Sequence, residues 1–247
     1  MKKYTTLFFA VLLLAACHKD KLNEPATKLV DFKETAYEFL GTFEASGRPN
    51  YLLQSDPVSA ELLNFIDTTL PEGLDLRKTK PGLLTSKAIA DISISISSDV
   101  FITFVSQNTG SGNSIAFYTY PTANPPASEK DIKIITYIFP AAGTGTPLQA
   151  GDKVKIGHFE PGTSVGFVLL KGAWDPSSGL LNNKVVHFCS NDVLNPEVDV
   201  NLKKHAVLID YAAESKTLVG FEDLDRTDSK CDHDFNDVVL YTTVVPN

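Results

Sequence analysis

The densest run of reactive side chains lies between Glu222 and Asp237. Within those 16 residues seven acids, Glu222, Asp223, Asp225, Asp228, Asp232, Asp234 and Asp237, meet two full cations, Arg226 and Lys230. Like charges this crowded repel, and the apolar runs Leu218–Phe221 and Val238–Tyr241 on either side read as strands that hold the crowd together. A bound cation relieves such repulsion. Asp232, Asp234 and Asn236 alternate, which offers oxygen ligands at every second residue, the ligand type that calcium takes. The expected metal set is therefore Glu222, Asp223, Asp232, Asp234, Asn236 and Asp237, with Glu222 or Asp223 giving a bidentate carboxylate from the strand end. The loop is not an EF-hand, because Asp237 stands where that motif turns on glycine and Thr243 stands where it needs glutamate. Zinc is disfavoured because Cys231 and His233 are two soft donors amid many oxygens. The competing reading is a solvated acidic turn that binds nothing specific.

Carboxylates also do acid–base work. A hydrolase, with glycans as one substrate class, would use Glu222 with Asp223 or Asp237 as acid and base. Against it, neighbours in a strand point to opposite faces, so Glu222 and Asp223 would not serve one substrate. Gly162-Thr-Ser164-Val-Gly166 has the spacing of a nucleophile elbow, but Phe167–Leu170 after it reads as a strand where that motif needs a helix. His205 and His187 read as hydrogen-bonded structural histidines. Trp174, the one tryptophan, is either a sugar-stacking platform or core, and core is the commoner fate.

These groups sit on an exported chain. Lys2 and Lys3, an apolar run from Leu7 to Leu14 and then Leu14-Ala-Ala-Cys17 give a signal peptide over residues 1–16, and the cysteine after Leu-Ala-Ala resembles a bacterial lipobox. Cys17 would then carry lipid, and the apolar run falls short of the roughly 20 residues that span a bilayer. Lipid attachment implies the outer membrane; the sequence leaves open whether the domain faces the periplasm or the cell surface. Loss of the two lysines takes the formal charge from −8 to −10, which argues against a nucleic-acid partner. Cys189 and Cys231 remain in an oxidising compartment, either bridged or as two thiols that never meet.

Residues 17–30 read as a polar tether and 31–69 as a short helical segment. Asp31 and Glu34 have capping-box spacing ahead of Phe32, Ala36, Phe39, Leu40 and Phe43 on one helical stripe. Asp56-Pro57 reads as a second helix start, leading to an apolar face of Leu62, Leu63 and Ile66. Beyond Pro81 the period drops to two: Ile92, Ile94 and Ile96 alternate with serines, which predicts a strand with its isoleucines buried. Further β-rich runs at 100–105, 114–120, 132–139, 153–158, 164–170, 184–188, 205–211, 217–221 and 238–245 are separated by turn-rich stretches. About ten short strands predict a mostly β, sandwich or jelly-roll domain over 70–247 with one or two N-terminal helices.

The segments Asn113–Tyr120, Gly151-Asp-Lys-Val, Gly162–Phe167, Leu194-Asn-Pro196 and His205 carry a further signal. Together with Gly220-Phe-Glu-Asp223 and Asp232-x-Asp-Phe-Asn-Asp237, in order from about Leu70 to Asn247, they resemble the LruC-type domain of bacterial surface lipoproteins. That resemblance implies a β-sandwich whose acidic residues are catalytic or metal-binding; carried over by position these are Glu222, Asp223, Asp232, Asp234, Asn236 and Asp237. Cys231 is not part of the family pattern. The combined expectation is a cell-envelope lipoprotein with a calcium-stabilised sandwich that acts as a binding, adhesion or structural module for a glycan or protein. The hydrolase stands as the alternative.

Overall fold

The computed structural model describes residues 27–28, 30–85 and 90–247, so the signal peptide, Cys17 and most of the tether lie outside the described residues. In chain order the elements are β1 (Ala36–Phe39), α1 (Ala60–Thr69), α2 (Leu76–Thr79), β2 (Ile92–Ser93), β3 (Ser98–Gln107), β4 (Ser114–Pro121), β5 (Ile134–Phe139), β6 (Lys153–Phe159), β7 (Thr163–Leu170), β8 (Trp174–Asp175), β9 (Leu180–Leu181), β10 (His187–Cys189), β11 (Ala206–Tyr211), β12 (Lys216–Phe221) and β13 (Val238–Pro246). They form a mostly β sandwich, as the two-residue period predicts.

One sheet runs β1-β5-β4-β7-β10, with β2 also on β7; the other runs β11-β12-β13-β3-β6, and β8 and β9 make a small separate hairpin. All pairings are antiparallel except β1 with β5. Alternate residues of each strand meet between the sheets. Ile115 and Phe117 of β4 and Val165, Phe167 and Leu169 of β7 share one core cluster with Val100, Ile102 and Phe104 of β3 and Val219 and Phe221 of β12. Each such side chain, withdrawn from water, contributes about 1.5–3 kcal/mol.

Both outer faces are covered too. On the first sheet Phe32 and Leu194 close over Ala116, Tyr118, Val168 and Leu170. On the second, Leu62, Ile66, Leu70 and Leu76 of the helical region lie on Val105, Val207, Leu218, Val239 and Tyr241. Burial on two faces explains why Ser164–Leu170 is buried without interruption.

Three local expectations are corrected. Residues 31–43 form no helix: Ala36–Phe39 is the edge strand β1, where Phe39 stacks on Tyr137 of β5 with ring centroids 5.0 Å apart. Pairing with a distant strand overrides a helical spacing that aromatic residues also satisfy as alternation around Glu38. The next helix begins three residues later than Asp56-Pro57 suggests, with Ser59 accepting the Leu62 N–H at 3.0 Å, and Leu63 lies 42% exposed off the buried stripe. Ile92 and Ile94 are buried, but the chain turns toward β3 before Ile96, which is 58% exposed.

Candidate functional site

The register of β12 and β13 creates the site. Their last pair is Phe221 with Val238, and the next residues out, Glu222 and Asp237, continue the ladder through the Asp237 N–H on the Phe221 carbonyl at 3.0 Å. Two carboxyls are thus set across from each other, an arrangement that repels when both are ionised. Burial pushes Asp237 up to about 9, with the charges of Asp223 and Glu222 adding to the shift. Burial also pushes Glu222 up to about 7, against the stabilising N–H of Leu224, and Asp232 raises it further. Glu222 ionises more readily than Asp237, and its charge helps to hold the proton on Asp237.

The loop between them is docked on the connection from α1 to α2. Asp234 accepts the Gly73 N–H at 2.8 Å, Leu76 N–H donates to the His233 carbonyl at 3.0 Å, and Asn236 Nδ2 donates to the Leu70 carbonyl at 3.2 Å. His233 and Phe235 take left-handed backbone conformations, at φ 61° and 62°. Each costs about 1–3 kcal/mol in a non-glycine residue. Buried Phe235, closed into the helix-covered cluster, offsets part of that cost. Gly220 permits the dock, because a Cβ there would sit 2.5 Å from the Phe235 carbonyl oxygen and 2.6 Å from Leu70 Cδ1.

Of the six expected ligands, the fold brings some together and assigns others separate partners. Asp232 and Asp234 converge with Glu72, one carboxylate oxygen from each lying within 4.8 Å of the others. Among the described residues none of the three has a basic partner. Burial pushes Asp234 up to about 6, although the N–H groups of Gly73 and Asn236 favour its ionised form. Asp223 turns to the other side of the strand, where Thr109 and Asn113 donate to it, and its own N–H donates to Asp237 at 2.7 Å. Asp225 and Asp228 are turn formers, accepting the N–H groups of Thr227 and Lys230.

Several partners were not singled out from the sequence. Glu72 sits in the Pro71–Leu74 turn with no local signal, and Thr109 reaches the site from the turn after β3. Asn113 lies in a segment that carries the LruC-type resemblance, the one hint available. Arg226 looks like a surface cation in the sequence, yet it is 2% exposed; it donates to the Lys204 carbonyl at 2.9 Å and to His233 Nδ1 at 3.2 Å, and it lies over the Phe235 ring. Burial, aided by Arg226, pushes His233 down to about 4, which keeps its imidazole neutral.

The remaining candidates are buried side chains. Cys189 and Cys231 are both free and buried, Cys189 under the outer face of the first sheet and Cys231 in the acidic loop. Ser164 lies buried within β7, hydrogen-bonded to Thr122 at 2.8 Å, and no helix follows it. His205 is fully buried between the Glu197 carboxylate at 2.7 Å and the Glu222 carbonyl at 2.9 Å, and it stacks on Phe188. His187 accepts from the Tyr37 hydroxyl at 2.7 Å, the direction set by its other nitrogen facing the Val185 carbonyl. Trp174 is 4% exposed, so it is core.

A cleft of about 1130 Å³ opens on the outer side of the first sheet, walled by Phe32, Tyr37, His187, Lys171 and Lys184, and Asp225 of the acidic loop contributes to its rim. Among the described residues no helix is long and apolar enough to cross a membrane.

No curated protein and no solved structure matches this chain. Residues 159–244, which run from the end of β6 into β13 and contain the whole acidic loop, match a protein family described as a domain of unknown function, DUF4114.

Proposed function

We propose that the loop from Glu222 to Asp237 is a calcium site that clamps the C-terminal strands to the helical cover, in a lipid-anchored envelope protein of LruC type that acts as a binding or structural module. The observation that carries this reading is the convergence of Glu72, Asp232 and Asp234 within 4.8 Å with no basic partner among the described residues. Hard oxygen ligands from two separate segments are what calcium collects. The charges of Asp232 and Asp234 reach Glu222, and the Asn236 N–H donates to Asp234 at 3.2 Å. Through Asp225 the same loop borders the 1130 Å³ cleft, so a clamped loop would also hold one wall of a glycan- or protein-binding face.

The test is a melting curve of the purified protein with chelator and with calcium. Calcium raises the transition, and Asp232→Ala combined with Asp234→Ala removes the rise; no response to excess calcium would end this reading. Attachment at Cys17 is tested separately, since Cys17→Ala must release the protein from the membrane, and protease shaving of intact cells reports which face it occupies.

The hydrolase reading draws on the opposed carboxyls of Glu222 and Asp237, whose acidities are split to about 7 and about 9. Full burial of Glu222 weighs against it, because a catalytic acid must reach its substrate. A panel of glycoside substrates decides: turnover that is lost in Glu222→Gln would replace the binding module with an enzyme.

A further inference from the structure

The same loop holds a group of side chains with different chemistry. Glu222, Cys231 and His233 are all buried, and one ligand atom from each lies within 4.8 Å of the others. Glu222 feels the charges of Asp232 and Asp234, but none of the three belongs to the Glu72, Asp232 and Asp234 cluster, so the two groups can be tested by separate substitutions. A thiol, an imidazole and a single carboxylate are the donor set of zinc-class ions, whereas calcium takes oxygen alone. Bond lengths of about 2.0–2.3 Å in a tetrahedron put neighbouring ligand atoms about 3.5 Å apart. Cys231 Sγ lies 3.2 Å from His233 Nδ1, close to that separation before any ion has drawn the ligands in.

A second observation points the same way. Glu222 is 0% exposed, and among the described residues its Oε2 has no hydrogen-bond donor. Arg226, whose Nε donates to His233 Nδ1 at 3.2 Å, must turn when an ion takes that lone pair. The charges then close, because a divalent ion and the Arg226 guanidinium balance the Cys231 thiolate, Glu222 and Asp237, with the displaced protons released to solvent.

We propose that Glu222, Cys231 and His233 form a zinc-class site, with the fourth position taken by water or by Asp237. The test uses cobalt(II) as the spectroscopic probe, added to the chelator-treated, reduced full chain. The chain has three cysteines, so Cys17→Ser with Cys189→Ser leaves Cys231 as the one thiol. Expected in that background are a thiolate-to-cobalt charge-transfer band and the visible bands of tetrahedral cobalt, saturating at one ion per chain and bleached by zinc. Adding Cys231→Ser removes the charge-transfer band, and His233→Gln weakens binding at least tenfold.

No charge-transfer band with excess cobalt, or one that survives Cys231→Ser, would overturn the assignment. Should Cys231→Ser not fold, alkylation of Cys231 in the otherwise native protein decides: zinc protects the thiol if the site exists, and an unchanged alkylation rate refutes it. Glu72→Gln leaves the cobalt spectrum intact while weakening the calcium response, so either site can fail without the other.

Discussion

Asp152 and Glu222 are both buried carboxylates at the end of a strand, yet Asp152 meets a guanidinium and Glu222 meets another carboxyl. Arg48 reaches Asp152 with both terminal nitrogens, at 2.8 and 3.1 Å, and the Gln149 N–H adds a third donor at 2.9 Å. Around Glu222 the chain supplies Asp237, Asp232 and Asp234, and its one buried guanidinium, Arg226, is spent largely on carbonyl oxygens and His233. A carboxylate that carries its own counter-charge needs nothing from solution. One that lacks it is either kept protonated or takes up a cation, so the two sites must respond oppositely to substitution, to calcium and to pH.

The largest expected effect is on the acidic side. At a calcium concentration 100 times the dissociation constant the folded state gains about 2.7 kcal/mol, which for a chain of this size raises the melting temperature by roughly 5–10 °C. Asp232→Asn combined with Asp234→Asn cancels that gain and, in chelator, leaves the protein as stable as the parent or more so, because repulsion has been removed. Arg48→Met does the reverse at the other site. It strands Asp152 in a buried position and costs about 2 kcal/mol, seen as a lower urea midpoint whether or not calcium is present. A calcium-dependent cost for Arg48→Met, or a large loss for the asparagine pair in chelator, would erase the distinction between the sites.

The two regions were also unequally legible in the sequence. Strand positions followed from alternation, because Val100, Ile102 and Phe104, or Val219 and Phe221, face the core every second residue. The stretch 31–43 was misread because Phe32, Phe39 and Phe43 fit a helical stripe, and only pairing with β5, nearly a hundred residues away, makes Ala36–Phe39 a strand. The acidic loop was legible as composition, since crowded charge needs no geometry to be noticed. Its division was not. Glu222 and Asp237 are set opposite by the β12–β13 register, and Glu72 joins Asp232 and Asp234 because the turn after α1 docks on the loop through Gly73 and Asp234. Arg226 was hidden for the same reason, since its partners are carbonyls of residues 201 and 204 and the ring of Phe235.

Acidity gives a third contrast. Asp234, Glu222 and Asp237 are raised to about 6, about 7 and about 9, so the folded state holds protons that the unfolded chain has already released near pH 4. Their contribution is fully present below that pH and is lost as pH rises through 6, 7 and 9. Calcium-free protein is therefore expected to show a urea midpoint that falls between pH 5 and pH 9, and calcium is expected to flatten that fall because it prefers the ionised carboxylates. A calcium-free midpoint that climbs steadily across the same window would contradict the raised acidities of Glu222 and Asp237.

The smallest effect tests how the cluster of Glu72, Asp232 and Asp234 is assembled. Glu72 is exposed, lies outside the acidic loop and accepts from Asn108, so its neutralisation removes little from the fold itself. Glu72→Gln is expected to change calcium-free stability by less than about 0.5 kcal/mol, the usual range for a surface substitution. Calcium affinity is a separate matter, because the substitution takes one carboxylate from a cluster of three. Calorimetric titration should then show weaker calcium binding with the stoichiometry unchanged. Unaltered affinity would remove Glu72 from the calcium site, and the contrast with Asp152 would then rest on the acidic loop alone.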